Sequence, residues 1–354
     1  MVSLYITSLE AAAGRSTICA GIGRWLSGEG KKVGFLKPLV ITEAQRPEVC
    51  DDDAQFMKQA LNLAEPLESL NPFTLTLDAL REFLTVEKDG LVEKVADAYG
   101  KVSREKDVVI IEGLSGFGVD EDMTRASYQV VEALEAKVIV LVRYVDALPL
   151  ARIVAASERL GDSLLGLVVN CAPADRLEEI YRRMTTLFQG KGLRLLAVLP
   201  EERTLFAISV GELARQLGGE VMASPEGSDK LVENIMVGAL CVDPGVEYFR
   251  RKANKAVVTR SERPDIQLAA METSTRCLVL SGNTPPNPKV LYQAEDKGVP
   301  IILVEQDTPA ALASIEDALS RARLCDERKL SRLEQMMARH FDFPALYQGL
   351  GLIA

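Results

Sequence analysis

The sequence predicts an α/β protein built on a parallel sheet, and two observations support this fold class. Short, unbroken apolar runs alternate with segments of helical periodicity along most of the 354 residues, which is typical of strands connected by helices. The runs also lack the polar alternation of a half-exposed strand, so helices are expected to cover the sheet on both faces. We therefore expect strand–helix–strand units throughout the chain.

The predicted elements form two successive α/β domains and a tail. Strands are predicted at residues 3–6, 33–36, 108–111, 138–142, 164–169 and 193–199 in the first domain, and at 235–242, 256–258, 277–280 and 301–304 in the second. Helices are predicted at residues 148–160, 176–191, 210–217, 288–297 and 308–323. Pro200 ends the last run of the first domain and charged residues follow it. We place the first domain at residues 1–204, a smaller domain at 205–325 and a C-terminal helical tail at 326–354.

The composition excludes several functional classes. The formal net charge of −10 argues against nucleic acid and anionic membranes as partners, and no apolar run reaches the roughly 20 residues of a membrane-spanning helix. The six cysteines form no C-x-x-C pair and no basic leader precedes the first strand, so we expect reduced thiols and a cytoplasmic protein. A single histidine, His340, leaves no Ser-His-Asp or Cys-His arrangement. We assign no catalytic residue.

The segment between the first strand and the first helix, residues 8–17 (SLEAAAGRST), has the position of a phosphate-binding loop. Such P-loops follow the pattern G-x-x-x-x-G-K-[ST], and they direct backbone N–H groups and a helix N-terminus at phosphate oxygens. Gly14, Ser16 and Thr17 match this pattern, whereas Arg15 replaces the lysine and no glycine stands at the start. The segment predicts a phosphate site that departs from the usual pattern.

Four polar side chains follow strands that would surround this loop. Lys37 ends the second strand, Glu112 ends the third, Asn170 ends the fifth, and Asp53 belongs to an acidic run that opens a helix. Asp53 is either a magnesium ligand or a helix N-cap. Glu112 is either a Walker-B-like metal ligand or a simple strand end. Asn170 either presents its amide to a purine edge or starts a turn.

In this order and at these strand ends, the features resemble the dethiobiotin synthetase family over residues 1–205. The resemblance implies Mg²⁺ and a purine nucleotide, ATP first among them, as cofactors. By this resemblance, the phosphate groups would be bound by Gly14, Arg15, Ser16 and Thr17. The Mg²⁺ ligands would be Ser16, Asp53 and Glu112. Lys37 would contact substrate or phosphate, and Asn170 would contact adenine. Lysine is a compact point charge whereas arginine is a wide planar fork, and the missing glycine removes a close backbone approach. Dethiobiotin synthesis itself is therefore not expected.

The segment 205–325 resembles the DRTGG domain, which is named for residues in two loops. In the first loop Glu262 and Arg263 stand for Asp-Arg and Asp265 follows, and in the second Ser281, Gly282 and Asn283 stand for Thr-Gly-Gly. Both loops lie where a strand ends and a helix begins, positions that can bind a small anion or a nucleotide. The same residues also fit plain turns with an ion pair of Arg263. The sequence leaves both interpretations open.

A P-loop domain followed by a DRTGG domain resembles the N-terminal part of long bacterial phosphotransacetylases. We expect no acetyltransferase domain in this chain, because few residues follow the second domain. The resemblance implies a regulatory or sensor protein that binds a nucleotide or another phosphorylated metabolite, with weak or no catalysis. The alternatives are an ATP-dependent ligase of the dethiobiotin synthetase or cobyrinate amidation type and an interaction scaffold with a vestigial site.

The tail is apolar enough to suggest an interface. Its apolar residues are Phe341, Phe343, Leu346, Tyr347 and Leu350. Exposed, they would form a patch suited to homo-oligomerisation. Folded back, they would instead complete the core of their own domain.

Overall fold

The computed structural model describes residues 1–42, 52–85, 90–239, 245–320 and 327–352. The described residues from Met1 to Glu201, together with those after Cys325, form one compact unit, and those between Glu202 and Leu324 form a second. The tail therefore belongs to the first unit, and the second unit is an insertion within it. No helix in the described ranges is long and apolar enough to cross a membrane.

The first unit is built on a parallel sheet of six strands in the order β2-β5-β1-β6-β7-β8. Its strands and those of a small separate sheet are β1 (Val2–Ser8), β2 (Val33–Leu36), β3 (Leu39–Thr42), β4 (Phe73–Thr76), β5 (Val108–Ser115), β6 (Lys137–Arg143), β7 (Leu164–Ala172) and β8 (Leu195–Pro200). Its helices are α1 (Arg15–Gly28), α2 (Asp52–Ala60), α3 (Leu67–Leu70), α4 (Leu77–Thr85), α5 (Gly90–Val102), α6 (Glu121–Ala133), α7 (Leu150–Leu160) and α8 (Leu177–Gln189).

The central strands β1, β5 and β6 are buried along almost their whole length, which explains their unbroken apolar sequences. Strand β1 lies between β5 and β6, while the chain passes from β1 to β2 on the far side of β5. Such a reversal of strand order opens a crevice at the carboxyl ends of the strands, where α/β sheets bind ligands. The predicted α/β class with a parallel P-loop-type sheet is confirmed.

The second unit has a five-stranded sheet in the order β10-β15-β14-β13-β12, in which only the edge strand β10 is antiparallel. Its strands are β9 (Ile208–Ser209), β10 (Glu220–Ala223), β11 (Leu231–Val232), β12 (Asn234–Val237), β13 (Lys255–Arg260), β14 (Thr275–Ser281) and β15 (Ile301–Val304). Its helices are α9 (Val210–Leu217), α10 (Gly245–Arg250), α11 (Pro264–Met271), α12 (Pro288–Asp296) and α13 (Thr308–Ser320). Separate apolar clusters fill the two faces of this sheet.

The tail consists of α14 (Glu327–His340) and α15 (Phe343–Leu350). Between them the backbone N–H of Asp342 donates to the carbonyl of Leu196, 2.8 Å away, on the edge strand β8. The ring of Phe343 stacks on Trp25 of α1 at a centroid distance of 3.8 Å. The side chains of Phe341, Phe343, Leu346 and Leu350 are buried, so they form no exposed apolar patch on this chain. Homo-oligomerisation remains a prediction without this support.

Candidate functional site

The loop between β1 and α1 lies at the carboxyl edge of the first sheet. Gly14 is the N-cap of α1 with φ +90°, and no side chain caps the helix there. A Cβ on Gly14 would lie 2.5 Å from Nδ2 of Asn170, so both the backbone angle and the close approach require glycine. Ala12 also has a positive φ, +53°. The result is a helix N-terminus without a side-chain cap, the arrangement that binds anions.

Arg15 is held at the base of this loop. Its Nη1 donates to Oγ of Ser8 at 2.9 Å, and its Nε lies 4.0 Å from Oε1 of Glu112. The Ser8 hydroxyl in turn donates to the carbonyl of Glu10 at 2.6 Å. The serine at the start of the loop therefore fixes the arginine that replaces the usual lysine.

Lys37 joins the two predicted metal-binding carboxylates. Its Nζ donates to Oδ2 of Asp53 at 2.7 Å and lies 3.7 Å from Oε1 of Glu112. The hydroxyl of Ser16 donates to the same Oε1 at 2.9 Å. The structure thus brings Arg15, Ser16, Lys37, Asp53 and Glu112 into one cluster at the base of the loop.

Glu112 is the buried centre of this cluster, with only 1% of the residue exposed. Burial raises the pKa of its carboxyl, and the neighbouring Lys37 opposes that rise. Its Oε2 is buried without a hydrogen-bond partner among the described residues. Gly113 follows it because a Cβ there would lie 2.3 Å from Cζ of the buried Tyr5. Close packing against Tyr5 therefore requires glycine directly after Glu112.

Asn170 supports the loop from the neighbouring strand β7. Its Nδ2 donates to the carbonyl of Ala13 at 2.9 Å, and its Oδ1 accepts the N–H of Cys171, also at 2.9 Å. The amide thus has a structural role, and the adenine contact implied by the family resemblance stays a prediction. Thr17 is half-buried in the first turns of α1, next to this cluster in sequence.

Sequence reasoning missed Arg143, which ends β6 beside the loop. Its Nη1 donates to the carbonyl of Ala12 and its backbone N–H donates to Oε2 of Glu10, both at 3.3 Å. The side chain is exposed and adds a cation at the tip of the loop. Its position at the end of a strand next to β1 was the available signal, because carboxyl strand ends meet at one edge of a parallel sheet.

The residues that the resemblance assigns to Mg²⁺ already contact other side chains of this protein. Its three oxygen donors are Ser16, Asp53 and Glu112, and all of them contact Lys37 or one another. Among the described residues, no three His, Cys, Asp or Glu side chains are grouped to hold a metal ion. In this arrangement an ammonium group lies between the carboxylates, so the donor set does not fit a divalent ion.

The second-unit loops lie on adjacent strands, since Arg260 of β13 is in register with Ser281 of β14. Arg263 pairs with Asp265, with 2.8 Å between Nη2 and Oδ2, and its hydrogen bonds lower the pKa of that carboxyl. Nε of Arg260 lies 3.5 Å from Oε2 of Glu262. The ion pair that the sequence left open for Arg263 is therefore formed.

The second loop contains a partly buried contact between two hydroxyl groups. Oγ of Ser281 lies 2.8 Å from Oγ1 of Thr308, at the start of α13. Gly282 and Asn283 follow with φ of +96° and +52°, which is turn geometry. Ligand binding by these loops stays a prediction.

Comparison with known families supports the same division. A family model described as an AAA domain matches residues 2–209, and a model described as a DRTGG domain matches residues 212–318. The chain belongs to this AAA-domain family. The predicted order of a dethiobiotin-synthetase-like P-loop domain and a DRTGG domain is confirmed, as is the resemblance to the N-terminal part of phosphotransacetylases.

The curated relatives of this AAA-domain chain include two phosphate acetyltransferases. That of Haemophilus influenzae is 23% identical over 375 residues, covering 96% of this chain and 52% of the relative. That of Nitrosomonas europaea is 23% identical over 359 residues, covering 96% and 50%. The chain thus spans about half the length of the curated relatives it matches.

Two solved structures show more distant likeness. The CBS and DRTGG domains of Clostridium perfringens pyrophosphatase, complexed with diadenosine tetraphosphate, give a TM-score of 0.30 at 14% identity, covering 41% of this chain and 70% of that one. Cobyrinic acid a,c-diamide synthase from Mycobacterium smegmatis, with bound ADP and magnesium, gives a TM-score of 0.35 at 16% identity, covering 57% and 88%.

Proposed function

We propose that the first unit binds a purine nucleotide, ATP first among the candidates, or another phosphorylated metabolite at the loop between β1 and α1. The chain then acts as a regulatory or sensor protein with weak or no phosphoryl transfer. Gly14, Arg15, Ser16 and Thr17 would contact the phosphate groups.

The position of Arg15 is the observation that carries this proposal. A P-loop lysine extends a point charge to the terminal phosphates, where charge develops during transfer. The Arg15 guanidinium is instead held at the base of the loop by Ser8 and lies near Glu112. Its Nε is buried without a hydrogen-bond partner among the described residues. A guanidinium in this position supports anion binding but not the geometry of transfer.

Isothermal titration tests the proposal directly. ATP, ADP, GTP and coenzyme A are titrated into the full chain, each with Mg²⁺ and with a chelator. We expect saturable binding of at least one purine nucleotide, weakened at least about tenfold in Arg15→Ala, because a charge-assisted hydrogen bond contributes roughly 1.5–3 kcal/mol. Absence of binding for every compound under both conditions would overturn the proposal.

The clustering of Lys37, Asp53 and Glu112 favours one rival function, the ATP-dependent ligase. Such an enzyme would form an acyl or carbamoyl phosphate at this cluster. Phosphate release in the presence of candidate carboxylates or diamines, abolished in Glu112→Ala, would favour the ligase over the regulatory protein. A scaffold with a vestigial site would instead show unchanged titrations and unchanged thermal stability in Arg15→Ala and Asp53→Ala.

A further inference from the structure

The ammonium group of Lys37 lies where a P-loop protein would hold its divalent cation. Nζ is 2.7 Å from Oδ2 of Asp53 and 3.7 Å from Oε1 of Glu112. Only 11% of the Lys37 side chain is exposed, so this cation is part of the folded interior. A buried ammonium held by two carboxylates is costly to displace, since removing its partners leaves an uncompensated charge.

The third oxygen donor, Ser16, contacts Glu112. A magnesium ligand presents an oxygen lone pair to the ion at about 2.0–2.1 Å, in near-octahedral geometry with other oxygens. Ser16 donates its hydroxyl hydrogen to Oε1 of Glu112, 2.9 Å away, and a hydroxyl oxygen that donates keeps its lone pairs. A divalent ion would therefore require Lys37, rather than Ser16, to leave its present contacts.

Among the described residues of the cluster, two positive charges face two carboxylates. Lys37 and Arg15 supply the positive charges, and Asp53 and Glu112 supply the carboxylates. The shortest of these contacts, between Lys37 and Asp53, is 2.7 Å, and the longest, between Arg15 and Glu112, is 4.0 Å. The incoming phosphate oxygens would meet the N-terminus of α1, which favours negative charge. The exposed side chain of Arg143 adds a cation at the loop tip.

We infer that this site binds its phosphorylated ligand as the free anion, without magnesium, because Lys37 occupies the position of the metal. The inference rests on the proposed function, since it concerns the same site. It replaces the predicted Mg²⁺ by a cation that belongs to the chain, and it limits the ligand class to phosphorylated molecules not chelated to a divalent ion.

The test compares the full-length protein with two variants. ATP and ADP are titrated in excess chelator and in excess Mg²⁺, and Mn²⁺ binding to the protein alone is measured by electron paramagnetic resonance. The Lys37→Met variant removes the ammonium and keeps the length of the side chain. Lys106→Met is the matched control, because Lys106 forms an equally short ion pair, 2.8 Å to Glu65, outside the site.

For the unmodified protein and for Lys106→Met, we expect equal nucleotide affinity with and without Mg²⁺ and no Mn²⁺ signal. For Lys37→Met, we expect Mn²⁺ binding and a nucleotide affinity that depends on Mg²⁺, because the buried Glu112 and the partly buried Asp53 then lack the Lys37 cation. Circular dichroism establishes that the variant is folded; if it is not, the chelator comparison on the unmodified protein decides alone.

Two results would overturn the inference and leave the proposed function intact. One is nucleotide binding by the unmodified protein that is at least about tenfold tighter with Mg²⁺, a difference of about 1.4 kcal/mol. The other is a folded Lys37→Met variant that binds no Mn²⁺. Absence of nucleotide binding under both conditions is a different result, because it overturns the proposed function itself.

Discussion

The hydroxyl of Ser8 accepts a hydrogen bond from the guanidinium of Arg15 at the start of α1. This contact fixes the position of the positive charge in the loop. Ser8 is fully buried, and its oxygen both accepts from Arg15 and donates to the backbone at Glu10. A lysine at position 15 could not fill the same space, since it lacks the planar fork that reaches two groups at once. The two residues therefore depend on each other.

A double-mutant cycle measures this dependence. Ser8→Ala, Arg15→Ala and the double variant are compared by urea unfolding, and we expect a coupling energy of about 1–2 kcal/mol, because the hydrogen bond is partly buried and charged. Arg176 and Glu179 form an exposed control pair, for which we expect a smaller coupling energy, because solvent screens exposed ion pairs. Coupling for Ser8 and Arg15 no larger than the control value would contradict the contact.

Lys255 of the second unit is a buried lysine whose titration should make stability depend on pH. It is fully buried and bonds Oγ1 of Thr273, with no carboxylate partner among the described residues. Burial lowers the pKa of its ammonium to about 8, from an ordinary value of 10.5. Between these two pH values the unfolded chain holds a proton that the folded chain has lost, so the free energy of unfolding rises with pH by up to about 1.4 kcal/mol per pH unit.

The measurement is the stability to thermal unfolding from roughly pH 7 to 10, a range that starts below the folded-state pKa of Lys255 and covers most of the interval up to its ordinary value. The contribution of Lys255 should vanish in Lys255→Met, whereas Lys289→Met, which replaces an exposed lysine, should keep the pH dependence of the unmodified protein. The same pH dependence in both variants would contradict the assignment to Lys255.

At the scale of elements, the tail helices complete the packing of the P-loop helix α1. Met337 of α14 packs against Gly21, where a Cβ would come within 2.8 Å of its Cγ. Trp25 contacts both Phe343 and Tyr347 of α15. The helix that begins at the candidate phosphate site is therefore supported along one side by the last described helices of the chain.

Trp25 is the single tryptophan of the chain, so its fluorescence reports on this packing. Phe343→Leu should shift the emission maximum to longer wavelength and lower the free energy of unfolding by about 1–2 kcal/mol, because a buried ring and its stacking contact are lost. Phe206→Leu, at a side chain with 45% exposure in the second unit, should leave the emission unchanged. Unaltered emission in Phe343→Leu would exclude the stacked arrangement.

The strands that helices cover on both faces could be predicted because their sequences are unbroken apolar runs, as in Val108–Ile111 within β5. Strands β3 and β4 were not predicted. Both are mostly only partly buried, and Phe73–Thr76 alternates apolar residues with threonine. Their pairing depends on residues far apart in the chain. Periodicity carries no signal of that kind.

The convergence of Lys37 and Glu112 could be predicted, because parallel strands end at one edge of the sheet. Asp53 lies in helix α2, so only the family resemblance implied its place beside them. The contact of Ser8 with Arg15 could not be predicted, since it depends on the side-chain directions around Gly14. For the same reason the sequence did not predict that both polar atoms of the Asn170 amide bond the chain's own backbone.

At the scale of the whole molecule, the second unit contains its own core. The described members of both of its apolar clusters lie between Ile208 and Ala318, within the unit bounded by Glu202 and Leu324. A self-contained core of this kind is the usual requirement for independent folding. The first unit is different, because it includes helices from both sides of the insertion.

Two truncated variants test this difference. Residues 202–324 alone should unfold cooperatively, with dispersed amide resonances in a heteronuclear NMR spectrum. Residues 1–204 alone should lack cooperative unfolding and associate, because the apolar surface around Trp25 loses its cover. A cooperative, monomeric fragment 1–204 would contradict the role given to the tail.

The insertion also sets an order of events during synthesis. Helix α1 leaves the ribosome before the second unit, whereas α14 and α15 follow only after the whole second unit has been made. The second unit can fold while the chain is still growing, since domains fold as units when their residues are available. The side of α1 that carries Trp25 stays uncovered until then, so the candidate phosphate loop acquires its final support only when synthesis reaches the tail. A nascent chain interrupted before α14 would carry every residue of the candidate loop next to a helix that is not yet fixed.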